Sequence, residues 1–307
     1  MNAAVRAVVR RTLFRGGRVV GVLRGFAGLV EGDYQTLQES SVGDIIQRGG
    51  TILQTARYAP FAADATVREE AVRRLREEGV DGVVVIGGDG SLRGAHALDQ
   101  AGMPAVGVPA SIDHDISGTD QSIGFDTALN TILEAVDRIR DTASAHNRIF
   151  VIEVMGRGCG RLALAAGFAS GSESVLVPEV AVDVVEVAQR ILQRHRRGKR
   201  HHLVIVAEGA GMGVYEVAER LAQETGLETR VTVLGHLQRG GNPSAVDRIL
   251  ASRLGAVAVE ILLEGTRDVL IGTKGGEVIA VPLAEVTSAP RASLDQELYR
   301  LMGSLSI

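Results

Sequence analysis

Two kinds of apolar pattern alternate along the chain. One is short, continuous and β-branched, at residues 83–86, 105–108, 149–154, 203–207 and 230–234. Such a run predicts a strand covered on both faces, as in a parallel sheet. The other spaces its apolar residues at helical intervals. Over residues 66–79, Val67, Ala71 and Leu75 share one face, Thr66 is the expected N-cap, Glu69 completes a capping box and Gly79 ends the helix. Further helices are predicted over 127–140, 184–195, 214–223 and 245–263. Strand, helix, strand along most of the chain predicts an α/β protein with parallel sheets. No fixed-period repeat or low-complexity linker interrupts the pattern, and the Ser- and Gly-rich stretch 169–174 reads as a loop.

Composition narrows the class. A chain of 307 residues suits one large or two medium domains, and 45% apolar with 23% charged residues excludes an intrinsically disordered protein. No apolar run approaches the roughly 18 residues of a membrane span, so no membrane role is expected. Residues 1–11 carry three arginines but no signal-peptide apolar segment. A single cysteine, Cys159, allows no internal disulfide, which points to a reducing cytoplasm. A net charge of −4 gives no support to a nucleic-acid partner. Glycine is abundant at 38 residues and aromatics make up only 3%, which favours tight loops against a polar ligand over a greasy pocket. The stretch RHRRGKRHH at 194–202 is a basic patch on an acidic chain: either a solvated helix end, or a site for an anion such as a nucleotide phosphate.

Four motifs carry chemistry. GGDGS at 87–91 follows a predicted strand, where glycines let backbone N–H groups approach phosphate and Asp89 can hold Mg²⁺. The bland alternative is a glycine turn with a surface aspartate. PASIDHD at 109–115 follows the next strand, and of Asp113 and Asp115 one carboxylate can take a hydroxyl proton while the other helps hold a metal. EVMGRGCGRLA at 153–163 ends a strand, turns and starts a helix, presenting Arg157 to neutralise a moving phosphoryl group; Cys159 has no partner base and reads as a packed small residue. ETRVTVLGHLQRGG at 228–241 gathers Arg230, His236 and Arg239, a set suited to a sugar-phosphate dianion.

GGDGS, SIDHD, EVMGRGCG, AEGAG at 207–211 and LGHLQRGGNPSAVDR at 234–248, in this order and spacing, resemble the bacterial ATP-dependent 6-phosphofructokinase family. The likeness runs from MNAAVRAVVR at the first residue almost to the last. It implies two Rossmann-like three-layer lobes with mainly parallel sheets and an active site in the cleft between them. The implied lobes are 1–124 with 238–287 for ATP, and 125–237 with 288–307 for fructose 6-phosphate. Asp113 then matches the base that deprotonates the sugar 1-hydroxyl, and Asp89 the Mg²⁺ ligand. Arg57, Tyr58, Gly88, Asp89, Gly90 and Ser91 match the nucleotide side. Ser111, Ile112, Asp113, Met155, Gly156, Arg157, Glu208, His236, Leu237, Gln238 and Arg239 match sugar contacts. Arg148 and Arg230 match arginines that reach the 6-phosphate from a neighbouring subunit, which implies a homotetramer. Arg6, Arg10, Arg140, Gly171, Ser172, Glu173, Arg197, Lys199, Arg200 and His201 match an allosteric site for ADP or phosphoenolpyruvate, giving the basic patch a reason.

Pyrophosphate-using members carry an aspartate after GGD and a lysine just before the TID motif. Here those positions are Gly90 and Ala110, which favours ATP. SIDHD replaces the family's TIDND, so His114 stands beside the base. Glu39 stands where the enterobacterial effector site often has an arginine, which weakens the expectation of tight anionic effector binding. The alternatives are a catalytically silent effector-binding homologue and a sugar-phosphate kinase with another donor. A lipid- or NAD-kinase-like enzyme sharing GGDG has no use for HLQRGG. Family members open with a strand and a loop like GVLTSGGDAPG ahead of the MNAA helix, whereas here Met1 is that helix's own methionine. The expectation from that difference is a chain of low stability and weak activity.

Overall fold

The β-branched runs become strands because each has helices to cover it. The computed structural model describes residues 1–290 and 293–305, the side chains of 144–146 excepted. Its strands are β1 (Val19–Val22), β2 (Tyr34–Leu37), β3 (Val83–Gly87), β4 (Ala105–Pro109), β5 (Ile149–Val154), β6 (Ser174–Leu176), β7 (His202–Ala207), β8 (Thr229–Val233), β9 (Val269–Lys274) and β10 (Glu277–Pro282). The chain forms two compact units: Met1–Ser111 with Ile116–Gly124 and Asn242–Pro290, and Ile112–Asp115 with Phe125–Gly241 and Arg291–Ile307.

In the first unit a four-stranded sheet runs β10-β9-β4-β3, with β3, β4 and β9 parallel and β10 antiparallel at one edge; β1 and β2 form a separate antiparallel ribbon. Val106, Val108 and Ile271 face the parallel pair of helices Asn2–Phe14 and Ala245–Leu263, where Gly255 lets the backbones close to touching distance of Ala4. Ala105 and Leu270 face the helices Ala65–Glu77 and Asp89–Gln100 on the other side.

In the second unit the sheet order is β6-β7-β5-β8, all parallel. Adjacent residues point to opposite faces. Thus Phe150, Ile152, Leu203 and Ile205 pack under the helices Phe125–His146 and Arg161–Ser170, while Ile149, Val151, Val204 and Val206 pack under Val184–Arg196 and Val214–Thr225. With both faces covered, β5 and β7 are apolar along most of their length, Glu153 and His202 being the exceptions.

The structure refines some of these expectations. β3 is covered on both faces, Val83 and Val85 packing on one core and Val84 and Ile86 on another, but among the described residues it pairs only with β4 and Val83–Ile86 are half-buried. The helix over 65–77 is capped by Asp64, whose carboxylate accepts from the Thr66 N–H, so the cap lies two residues upstream of Thr66. The loop expected over 169–174 is shorter, residues 171–173: a helix runs to Ser170, β6 starts at Ser174, and Ser172 and Glu173 are buried. Residues 112–115 and 238–241 belong to the second unit, and 288–290 to the first, which shifts the expected lobe limits by a few residues. The physical reason at 238 is the Gln238 side chain, buried on the end of β5.

Candidate active site

In the first unit, β3 ends at Gly87 and the helix Asp89–Gln100 starts at once, with Gly88 as its N-cap. Glycine offers no capping side chain to the amide groups that open the helix, a place suited to an anion, while the Ser91 N–H donates to the Gly88 carbonyl at 2.9 Å. Asp89 sits in that turn, half-buried, 3.1 Å from Arg93 Nε. Around Gly90 the space is open: a Cβ there would meet nothing within 4 Å. Parallel pairing sets Gly87 opposite Pro109, and the Ala110 N–H donates to the Gly87 carbonyl at 2.9 Å. GGDGS and the start of SIDHD therefore lie side by side, with Ser111 pinned by Ser122 Oγ donating to its carbonyl at 2.7 Å. Arg57 is exposed in the preceding loop, and Tyr58, at the start of the short helix Ala59–Ala63, packs against the same unit's core.

In the second unit the end of β5 carries Met155, Gly156 and Arg157. Gly156 has φ +132°, and a Cβ there would stand 2.7 Å from the Cys159 carbonyl; a Cβ on Gly209 would stand 1.9 Å from the Arg157 carbonyl. Only glycines let the two turns nest, which brings Glu208 beside Arg157, Oε1 to Nε 3.8 Å. The Arg157 side chain is 85% exposed, free to meet a ligand. Burial, reinforced by the Glu208 charge, pushes the Glu153 carboxyl up. Gln238 locks the next turn in place: its Oε1 accepts from the Met155 N–H at 3.0 Å and its Nε2 donates to the Gly235 carbonyl at 3.0 Å. Arg239 reaches Met155 Sδ at 3.4 Å, and His236 and Leu237 are exposed on that turn. Ile112 packs on the same core, followed by half-buried Asp113, His114 and Asp115. Burial pushes the Cys159 thiol up, which fits a packing role.

The structure does not bring every sugar-side residue together. Arg148 precedes β5 and Arg230 lies at the start of β8, at the opposite end of the sheet from Met155–Arg157. There both pair with Glu228, Arg148 Nε at 2.6 Å, and hydrogen bonding from Arg148 holds the Glu228 carboxyl below its ordinary range.

The basic patch is only partly solvated. Lys199 Nζ lies 2.5 Å from Glu173 Oε1, His202 Nδ1 lies 3.5 Å from the same oxygen, and Arg140 donates to the Ser170 carbonyl. Burial acts to push the Glu173 carboxyl up, but His202, Lys199 and the Leu203 amide outweigh it and hold it low. Burial, with Lys199 and Arg140 adding to it, pushes the His201 imidazole down. Gly171 caps the adjoining helix, and Arg197 and Arg200 are exposed, whereas Arg6 and Arg10 belong to the first unit. Sequence inspection passed over Asn2 and Arg161. Asn2 is buried among alanines and valines, donating to the Arg48 and Gly49 carbonyls at 3.1 Å and accepting from the Ile52 N–H at 2.8 Å. A polar residue in an apolar helix stripe was the available signal. Arg161 had none, because its partners are distant backbone carbonyls.

A glycine loop and aspartate at a helix N-terminus, directly after a parallel strand, define an α/β enzyme that handles phosphates. The chain matches the phosphofructokinase family over residues 1–262. It is 52% identical to the ATP-dependent 6-phosphofructokinases of Bacillus subtilis (strain 168) and Bacillus pumilus (strain SAFR-032), over 307 residues and 95% of each relative. The solved phosphofructokinase of Pichia pastoris in the T-state superimposes with a TM-score of 0.89 at 38% identity, covering 94% of this chain and 34% of that one. A pyrophosphate-dependent phosphofructokinase from Marinobacter aquaeolei shares the fold, with a TM-score of 0.84 at 22% identity over 98% of this chain and 87% of that one. The chain belongs to the phosphofructokinase family.

Proposed function

We propose that this protein transfers the γ-phosphoryl group of ATP to the 1-hydroxyl of fructose 6-phosphate, giving fructose 1,6-bisphosphate and ADP. The observation that carries this is the GGDGS loop set beside Pro109–Ser111 by the β3–β4 register, with open space at Gly90 and no cation at Ala110. A pyrophosphate donor needs charge where this loop offers room.

In this mechanism Gly88, Asp89, Gly90 and Ser91 form the cradle for the nucleotide phosphates, with Arg57 and Tyr58 on the nucleotide side. Asp113 takes the proton of the sugar 1-hydroxyl as its oxygen attacks the γ-phosphorus and the bond to the ADP oxygen breaks. Arg157 neutralises the charge on the transferring group. Catalysis is mostly positioning and electrostatics. Asp89 would hold Mg²⁺. A lone carboxylate fits an ion that takes its remaining oxygens from phosphates and water, and among the described residues no larger group of metal-ligating side chains gathers. Bound with ATP, Mg²⁺ supplies charge neutralisation at the phosphates.

Ser111, Ile112, Met155, Gly156, Glu208 and His236 to Arg239 would line the sugar. Arg148 and Arg230 act on a neighbouring copy's sugar 6-phosphate. β5 spans six residues, roughly 20 Å at about 3.3 Å each, so its two ends cannot close on one small sugar, and this supports the homotetramer. The Arg140, Gly171–Glu173 and Arg197–His201 patch, with Arg6 and Arg10, would receive ADP or phosphoenolpyruvate. No helix among the described residues is long and apolar enough to cross a membrane, and the cytoplasm is the compartment proposed. The test is turnover of fructose 6-phosphate and Mg²⁺ with ATP or with pyrophosphate. ATP alone should support it, and comparable rates with both donors would overturn the donor assignment.

A further inference from the structure

The turn that carries Asp113 has an unusual backbone. His114 has φ +55°, a left-handed conformation that non-glycine residues adopt rarely, histidine, asparagine and aspartate most readily. Left-handed non-glycine residues persist only where the surroundings over-determine them, and they cluster at functional sites. Here two contacts fix the residue. Its ring lies on Phe125, the first residue of the helix Phe125–His146, with centroids 4.5 Å apart and planes 32° from parallel. Its carbonyl accepts from Arg161 Nη1 at 3.3 Å, while Arg161 Nε donates to the Ser293 carbonyl at 2.8 Å. Arg161 is itself held, as the first residue of the helix Arg161–Ser170. Two residues before His114, Ile112 is seated in the same unit's core. Asp113 thus sits between two anchored neighbours, and its backbone direction is set by them.

We propose that His114 is a positioning residue for phosphoryl transfer. Its left-handed backbone, with the ring seated on Phe125 and the carbonyl held by Arg161, sets the direction in which Asp113 presents its carboxylate to the sugar hydroxyl. The requirement is conformational: what matters at 114 is tolerance of positive φ plus a planar or polar group against Phe125. This rests on Asp113 being the base. A misplacement of about 1 Å at a reacting group costs on the order of a hundredfold in rate, whereas ATP, held by the glycine loop of the first unit, is bound without the turn.

The experiment compares H114N, H114A and H114V for turnover, KM for ATP and thermal midpoint, with D113N and R161M alongside. Valine, β-branched, resists positive φ, so H114V should lose roughly 10- to 100-fold in kcat with KM for ATP within about twofold, a split that general loss of fold would not give. H114A should fall between, and H114N should recover most of the loss. R161M should lower kcat in the same way, and the H114V/R161M double variant should lose less than the product of the two. Should H114V fail to fold, the order histidine, asparagine, alanine in kcat at equal thermal midpoint decides. Equal kcat for all three variants, or a fall in kcat that tracks the thermal midpoint, overturns the proposal. D113N separates the two layers: if D113N keeps its turnover, the assignment of the base fails, whereas if D113N loses it and the 114 variants do not, only the positioning role fails.

Discussion

Single residues in this protein owe their roles to what surrounds them. Asp113 is one of two carboxylates two positions apart, and the family resemblance is what singles it out as the proposed base; Ile112 beside it packs on the second unit's core. D113N should retain fructose 6-phosphate binding and lose roughly 10²- to 10⁴-fold in kcat, the span of a general base, as steady-state kinetics on purified protein would read. Glu153 shows the reverse case, a carboxyl strained by its place. Its proton is held more tightly in the folded chain than in the unfolded one, because burial and Glu208 disfavour the charge. Stability from this group is therefore present below the ordinary carboxylate pKa and is lost as pH rises through the raised value. E153Q should melt higher than the parent at pH 7, with the difference closing as pH falls below about 4.5. A constant difference across that range would mean that the substitution acts by packing and not by charge.

Elements bring distant residues to one place, and their turns need particular residues to do so. Gly209 passes so close to the Arg157 carbonyl that a methyl group would stand 1.9 Å away. G209A should therefore push the 207–210 turn off the end of β5, raising KM for fructose 6-phosphate more than KM for ATP; equal changes in both would argue for general unfolding. The segment after the helix Val184–Arg196 carries the proposed anion site at an element end. His202, Lys199 and the Leu203 amide hold the Glu173 carboxyl low against burial, while Arg197 and Arg200 stay exposed. R197A combined with K199A should weaken binding of ADP or phosphoenolpyruvate by about tenfold or more, the loss of two charge-assisted contacts, as calorimetry would record. Unchanged binding would leave the patch as a solvated helix end.

At the scale of the whole molecule, the proposed sugar-phosphate role of Arg148 and Arg230, which lie at the far end of the sheet from Met155–Arg157, needs further copies of the chain. Dilution below the assembly's dissociation constant should lower affinity for fructose 6-phosphate while leaving ATP binding to the glycine loop intact, and sedimentation with a binding assay would follow both. Both sites holding their affinity on dilution would remove the neighbour's arginines from the sugar.

The α/β class, most strands and the chemistry-bearing motifs were legible along the chain, because each is a local matter. A β-branched run declares a covered strand, a 3.6-residue period declares a helix, and GGDGS declares a phosphate loop within a handful of residues. The helix Ala245–Leu263 came out with its bounds as read, its cap Ser244 accepting from the Asp247 N–H. What the tertiary structure alone decided is which elements are neighbours. That β3 is an edge and not an interior strand depends on sheet order, which pairing energy sets and no single strand encodes. That Gln238 belongs with Met155, 83 residues away, depends on one buried amide meeting one free N–H. That Glu173 is buried with His202, and not exposed in a loop, depends on β6 and β7 pairing. Residues near in sequence interact whatever the fold, so their consequences can be read from the chain. Those far apart meet only once the sheets have closed and desolvated them, and the worth of each contact is set there.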